Sequence, residues 1–269
     1  MNVRQTIRKL CRTPALLALV LPLVAGNAAA ATYNLVAMSF VKAMPDGASV
    51  TMWGYALDVG AGSVPSVPGP PLVVPAGDTS LTINLRNTLT EPVSVVIPGQ
   101  VAAMAPVKFA DSAGRQRVRS FTAEAAAGGG TQSYTWSNLK PGTYLYHSGT
   151  HPQVQVQMGL YGAMTLNLPK LTATGPNRAY AGVPYTREVT LLFSEIDPLL
   201  HAAVANGRYG APVPGSLPPG LTAADYPSST IDYAPKYFLI NGEPFTTRAG
   251  ATLPIARTGR NTLVRFLNA

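Results

Sequence analysis

The chain has 269 residues, of which 46% are hydrophobic and only 12% are charged, and its formal net charge is +8. The charged fraction is about half of that in an average protein, and 25 glycines and 25 prolines punctuate the chain, which argues against both a helical and a disordered protein. Four of the cations lie in the first twelve residues, and without them the formal net charge falls from +8 to +4. The excess of basic residues therefore does not indicate a nucleic acid partner.

Residues 1–31 have the pattern of a secretory signal peptide. Residues 15–25 form an apolar run too short to span a bilayer, and residues 28–30 are three alanines suited to cleavage. We therefore expect a mature chain that begins near Ala31 or Thr32, is periplasmic or secreted, and has no membrane span after cleavage. The cations that precede the apolar run are Arg4, Arg8, Lys9 and Arg12.

The chain has one cysteine, Cys11, which lies in this leader. The mature chain is therefore expected to have no disulfide, no thiolate metal site and no cysteine nucleophile. The sequence also lacks a phosphate-binding loop and a dinucleotide fingerprint, which argues against the common nucleotide-dependent enzymes.

Apolar and polar residues alternate over many short stretches, a pattern typical of β-strands. Residues 33–38 and 49–55 flank the turn Pro45-Asp46-Gly47 and predict a hairpin. Short strands with frequent turns predict a β-sandwich with Greek-key connections. Further strands are predicted over residues 81–87, 93–97, 118–123, 133–136, 143–146, 153–158 and 163–168.

The C-terminal part is predicted to be a second, incomplete β-domain. Its residues contain only about three predicted strands, whereas a closed sandwich has roughly seven. Asp197 is expected to cap a short helix over residues 199–204. The predicted division is a signal peptide at 1–31, a first domain at 32–170, a linker at 171–185 and the incomplete domain at 186–269.

Two of the three histidines, His147 and His151, lie where the predicted strand 143–146 ends. Imidazoles at a strand end are often metal ligands, although two nearby histidines on a polar β surface can also be merely solvated. His201 follows Asp197 and is expected to be solvated or to act in capping. Met158 and Met164 alternate with polar residues and are expected in the core.

Several short motifs occur in one order along residues 68–269. The motifs are PGP at 68–70, GD at 77–78, Asn87, GTYLYHS at 142–148, GLYG at 159–162, FLING at 238–242 and RFLNA at 265–269. Together they resemble the multicopper oxidases, the laccase-like family built from cupredoxin β-sandwiches. The resemblance implies an all-β, cupredoxin-like Greek-key β-sandwich, with one complete domain plus an incomplete second one, and it implies copper as cofactor.

Two copper motifs of the family are altered here. The family's HWHG corresponds to residues 96–99, where Val96 and Pro98 cannot ligate a metal. The family's His-Ser-His corresponds to residues 147–151; aligned on His147 alone, Gly149 takes the place of the second histidine. Treating Gly149 and Thr150 as an insertion instead restores His151.

The insertion also aligns Gln155 with the family's glutamine and brings Gly159 into register with the GLxG motif. The metal ligands implied by the resemblance are therefore His147 and His151. A bulge is needed between them, because residues four apart on a regular strand lie about 13 Å apart. The alternative is that both are remnant surface or interface histidines.

The resemblance implies a copper-binding oxidoreductase, but the chain lacks essential parts of one. A blue-copper site needs two histidines and a thiolate, and three histidines are too few for the family's trinuclear cluster. We therefore expect an exported, truncated N-terminal portion without turnover of its own, completed by a C-terminal oxidase portion or a homo-oligomer. The alternative is a non-enzymatic periplasmic copper-holding or interaction module on a degenerate cupredoxin scaffold.

Overall fold

The computed structural model describes residues 30–245 and 261–269, whose regular secondary structure is mostly β-strand. The predicted signal peptide, with Cys11, therefore lies almost entirely outside the described residues. The strands are β1 (Ala30–Ala43), β2 (Ser49–Leu57), β3 (Leu72–Val74), β4 (Ser80–Asn87), β5 (Val107–Ala110), β6 (Gln116–Ser120), β7 (Thr131–Ser137), β8 (Gly142–His147), β9 (Tyr161–Leu166), β10 (Asn177–Tyr180), β11 (Val183–Tyr185), β12 (Arg187–Ile196), β13 (Tyr237–Ile240), β14 (Glu243–Pro244) and β15 (Thr262–Asn268). The α-helices are α1 (Pro152–Gln155) and α2 (Pro198–Ala205).

Two sheets form the first part of the molecule. One has the strand order β2-β1-β4-β7 and the other the order β3-β9-β8. As predicted, β1 and β2 form an antiparallel hairpin, and β1 also pairs in parallel with β4. Alternate residues of both sheets point inward and form one core. Its largest fully buried side chains include Trp136, Tyr55, Tyr134 and Tyr146, and the predicted core residues Met158 and Met164 are both 0% exposed.

Residues 93–97, where the sequence predicts a strand, form two isolated bridges and no continuous ladder. Val93 makes an isolated antiparallel bridge to Ala125, and Val96 makes one to His147. The segment thus changes partner within a few residues. That change of partner places Val96 directly opposite the end of β8.

The prediction of a strand over residues 153–158 is wrong, because the chain forms α1 and a turn there. Pro152 occupies the first turn of the helix, where its missing N–H costs nothing. The backbone N–H of Val156 donates to the carbonyl of Pro152, and that of Met158 donates to the carbonyl of Val154. The alternation of valine and glutamine is equally compatible with a helical turn that buries Val154, Gln155 and Met158.

The C-terminal part contains a sheet of order β14-β13-β12-β15, in which β12 and β15 are parallel. One face of this sheet packs on the first part, where Leu192 and Leu239 join Met52 and Val67 in a second core. The predicted linker contains the hairpin β10-β11. The division of the chain into domains stays a prediction.

The helix expected after Asp197 is confirmed as α2. The Asp197 carboxylate accepts hydrogen bonds from the backbone N–H groups of Leu199 and Leu200 at 2.8 and 3.3 Å. The expectation for His201 is wrong, because its side chain is buried, with 1% exposure. Helix α2 packs on β2. The sequence around His201 does not predict this contact.

His201 ties α2 to the first part of the molecule through both ring nitrogens. Nδ1 lies 2.8 Å from the carbonyl oxygen of Thr51, and Nε2 lies 2.9 Å from that of Gln157. Burial lowers the pKa of His201 below its ordinary value of 6.5, against the opposing effects of the two carbonyls and the Asp197 carboxylate. A neutral ring can donate to only one of these two carbonyl oxygens, but burial is the larger effect, so the pKa of His201 stays below its ordinary value.

We expect acidification to destabilise the protein through His201. Below pH 6.5 the unfolded chain takes up a proton that the folded chain resists, so stability present at neutral pH is lost as the pH falls. The urea midpoint should fall between about pH 7.5 and pH 5.0, and the fall should be smaller in His201→Gln. Burial also lowers the pKa of His147, so the difference between the two proteins isolates His201. An unchanged pH slope in the variant would contradict this role.

Candidate metal site

His147 ends β8 and lies opposite Val96. The two residues exchange backbone hydrogen bonds of 2.8 and 3.0 Å. In such an antiparallel pair the Cα atoms lie about 5.5 Å apart and the side chains share one face. The position that corresponds to the family's first HWHG histidine thus adjoins His147, but it carries an isopropyl group here.

The local contacts hold His147 in a form that can bind a metal. Its Nδ1 lies 2.8 Å from the carbonyl oxygen of Ser148. A carbonyl oxygen only accepts, so Nδ1 carries the proton and Nε2 keeps its lone pair. Burial also lowers the pKa of His147, which keeps the ring neutral at pH 7. A neutral imidazole with a free Nε2 is the usual ligand form.

His147 lines a cavity of about 280 Å³, hereafter the His147 cavity. Two of its polar side chains are already engaged, because the Gln100 amide donates to the carbonyl of Lys140 and the Thr122 hydroxyl donates to that of Val95. The remaining lining residues are Val96, Ile97, Pro98, Ala102, Met104, Phe121 and Trp136. Among the other lining residues, the side chains of His147 and Met104 have atoms that can bind a metal.

His151 lines a different cavity, of about 480 Å³, together with Glu91, Arg119 and Tyr209. The two cavities share no lining residue. His151 has a left-handed backbone, with φ 37° and ψ 57°, and its N–H donates to the Arg119 carbonyl at 2.9 Å. The structure therefore does not bring the two histidines to one cavity, and their joint role as ligands stays a prediction.

A buried polar network holds the loop between the two histidines. The Ser148 hydroxyl donates to the Gln155 side-chain oxygen at 2.6 Å, and the Gln155 amide donates to the Pro92 carbonyl at 2.9 Å. The Thr150 hydroxyl bonds to the hydroxyls of Ser94 and Ser120 at 3.0 and 3.1 Å. The sequence does not predict this network. Its only sign in the sequence is the presence of small hydroxyl residues in otherwise apolar stretches, and these do not show which residues are partners. These bonds fix the path by which the chain leaves His147.

The described residues provide part of a copper site. Among residues 30–245 and 261–269, no group of three or more His, Cys, Asp or Glu side chains could hold a metal ion. His147 alone fits copper, by its tautomer and its position on a cavity wall. The other two histidines, His151 and His201, do not line the His147 cavity. A further imidazole ligand in that cavity would therefore have to come from another polypeptide.

Residues 60–170 match the family model described as Multicopper oxidase. The copper nitrite reductase from Nitrosomonas europaea has a TM-score of 0.56 at 20% identity, over 90% of this chain and 68% of that chain. The blue copper oxidase from Nitrosomonas europaea has a TM-score of 0.56 at 17% identity, over 89% and 61%. The laccase from Botrytis aclada has a TM-score of 0.52 at 19% identity, over 89% and 38%.

The chain thus spans less than two thirds of the length of the latter two structures. No curated protein sequence matches it. The similarity shows the fold of this chain. It does not show that this chain has the activity of the longer proteins. The predicted all-β, cupredoxin-like architecture is confirmed.

Proposed function

We propose that this protein is a multicopper oxidase-like module that binds copper through His147, a proposal supported by the match of residues 60–170 to the multicopper oxidase family model. The observation that carries the proposal is the free Nε2 of a neutral His147 on the wall of the His147 cavity, opposite the Val96 position. Bound copper would supply one-electron redox chemistry there. The chain's own residues orient the imidazole, keep it neutral and surround it with apolar walls.

We propose further that the described residues do not reduce oxygen by themselves. A blue-copper centre needs a thiolate, and the only cysteine, Cys11, lies in the predicted leader. The remaining ligands would come from a partner, either a C-terminal oxidase portion or a second copy of this chain.

The proposal includes export to the periplasm or the medium. It is supported by the basic and apolar leader pattern of residues 1–31. In the described part of the chain no helix is long and apolar enough to cross a membrane.

A second candidate function, a non-enzymatic interaction module, is favoured by the outer face of the C-terminal sheet. Phe238, Phe245 and Phe266 are 56%, 63% and 66% exposed, respectively. The Phe266 ring stacks on Phe193 with centroids 6.3 Å apart. Clustered exposed aromatic side chains often mark a protein-binding surface.

Copper titration of three proteins tests the main proposal. We expect His147→Ala to weaken copper(II) binding roughly tenfold or more, because it removes the oriented imidazole. His151→Ala is the matched control, since it removes a histidine from the other cavity and should change the affinity by less than about twofold. The affinities are measured by competition with a chelator, and paramagnetic resonance of the copper(II) form should show nitrogen coupling that His147→Ala abolishes.

Equal losses in the two variants would show that both histidines bind one ion, as the resemblance implied. No copper binding by the wild-type protein would reject the main proposal and leave the interaction module.

A further inference from the structure

The His147 cavity carries donors that prefer a soft cation. Met104 and Trp136 line it together with His147. A thioether selects Cu(I) among the biological metals, while imidazole binds copper in either valence. No aspartate or glutamate is among the residues that line the cavity. The donor set therefore differs from the oxygen-rich sets that suit harder divalent ions.

The electrostatics of the cavity also favour a monovalent ion. Most of its lining side chains are apolar, and none of them is a carboxylate. The cost of moving an ion out of water grows with the square of its charge, and this wall offers no negative charge to offset it. Cu(I) therefore enters such a cavity at far lower cost than Cu(II).

Two contacts place the cavity's soft groups together. Ala102 makes an isolated bridge to Trp136, which holds the segment that carries Met104 against β7. Met104 is half-buried and packs on the first core. Trp136 is 1% exposed and lines the cavity, and an aromatic ring face attracts a cation. Met158 and Met164 lie inside the core and do not line the cavity.

We propose that the His147 cavity is a Cu(I) site, in which Met104 is the second ligand beside His147 and Trp136 contributes a cation–π contact. This inference rests on the proposed function, since it requires copper at His147, and it adds the valence and a ligand. Two donors are sufficient for Cu(I), which accepts low coordination numbers. The module would then hold reduced copper rather than a multinuclear Cu(II) centre.

Anaerobic competition with a Cu(I) chelator tests the inference on the mature protein. Met104→Leu keeps the volume and removes the sulfur, so we expect Cu(I) affinity to fall at least tenfold while Cu(II) affinity changes less than twofold. The matched control is Met38→Leu, which replaces another half-buried methionine that lies outside the cavity. X-ray absorption of the Cu(I)-loaded wild-type protein should show a sulfur atom bound to the copper. This measurement does not depend on the folding of any variant.

Loss of that sulfur neighbour in Met104→Leu, but not in Met38→Leu, would support the site. Equal Cu(I) affinity in wild-type protein and Met104→Leu, or a copper spectrum without sulfur, would overturn the inference while copper binding by His147 stands. Failure of the wild-type protein to bind copper in either valence would overturn the inference and the proposed function together.

Discussion

Val96→His is expected to turn the His147 cavity into a two-imidazole copper(II) site. Val96 and His147 form a hydrogen-bonded antiparallel pair, so their side chains project from the same face about 5.5 Å apart at Cα. Val96 is only half-buried and lines the cavity, which leaves room for the larger ring. Copper(II) affinity should rise by at least the roughly 10–100-fold that a supporting metal-site contact is worth.

The measurement is a copper(II) titration of wild-type protein, Val96→His and two controls. Val96→Ala opens the same space without a donor and should leave the affinity near that of wild-type protein. The double variant Val96→His/His147→Ala carries one imidazole and should lose the gain. If Val96→His bound copper(II) no more tightly than Val96→Ala, the facing geometry of residues 96 and 147 would be wrong.

Gly159→Ala is expected to destabilise the fold by about 3–5 kcal/mol. Gly159 has φ +117°, a conformation that side chains with a Cβ rarely adopt. A Cβ there would also lie 2.5 Å from the Val67 side chain and clash with the Trp53 carbonyl oxygen. That backbone cannot yield easily, because the Trp53 N–H donates to the Met158 carbonyl at 2.8 Å.

Gly128→Ala is the matched control. Gly128 also has a positive φ of +70°, but no atom lies within 4 Å of the position that an added Cβ would take, so only the backbone strain of about 1–2 kcal/mol applies. Urea denaturation of both variants measures the difference. Similar losses in the two variants would show that steric contact at the α1–β9 turn does not hold the fold.

Local chemistry is sufficient to predict several features that the structure confirms. Asp197 caps α2, because an N-cap needs only its own side chain and the next backbone N–H groups. The β1-β2 hairpin follows from alternation on either side of a Pro-Asp-Gly turn. Met158 and Met164 are in the core, as their apolar positions indicate. Each of these features depends on residues close together in sequence.

The errors arise where two structures satisfy the same local pattern. Residues 153–158 alternate as a strand does, yet Pro152 and the buried Gln155 network favour a helical turn. His201 follows a helix cap, where a solvated ring is common, yet α2 packs against β2 and buries it. In both cases a contact with a distant part of the chain contributed to the outcome, Pro92 for Gln155 and Thr51 for His201, and the neighbouring sequence does not identify that partner.

By itself, the sequence determined that the chain is an all-β protein and that its only cysteine is Cys11. These two conclusions depend on residue identity and periodicity alone, whereas the replacement of metal-binding residue types by Val96 and Pro98 is implied by the resemblance. Only the tertiary structure decided which imidazole faces which cavity, that Nδ1 of His147 is engaged by Ser148, and that Met104 joins His147 on one wall. A cavity is built by segments far apart in the chain, so its donor set is fixed by packing and not by spacing.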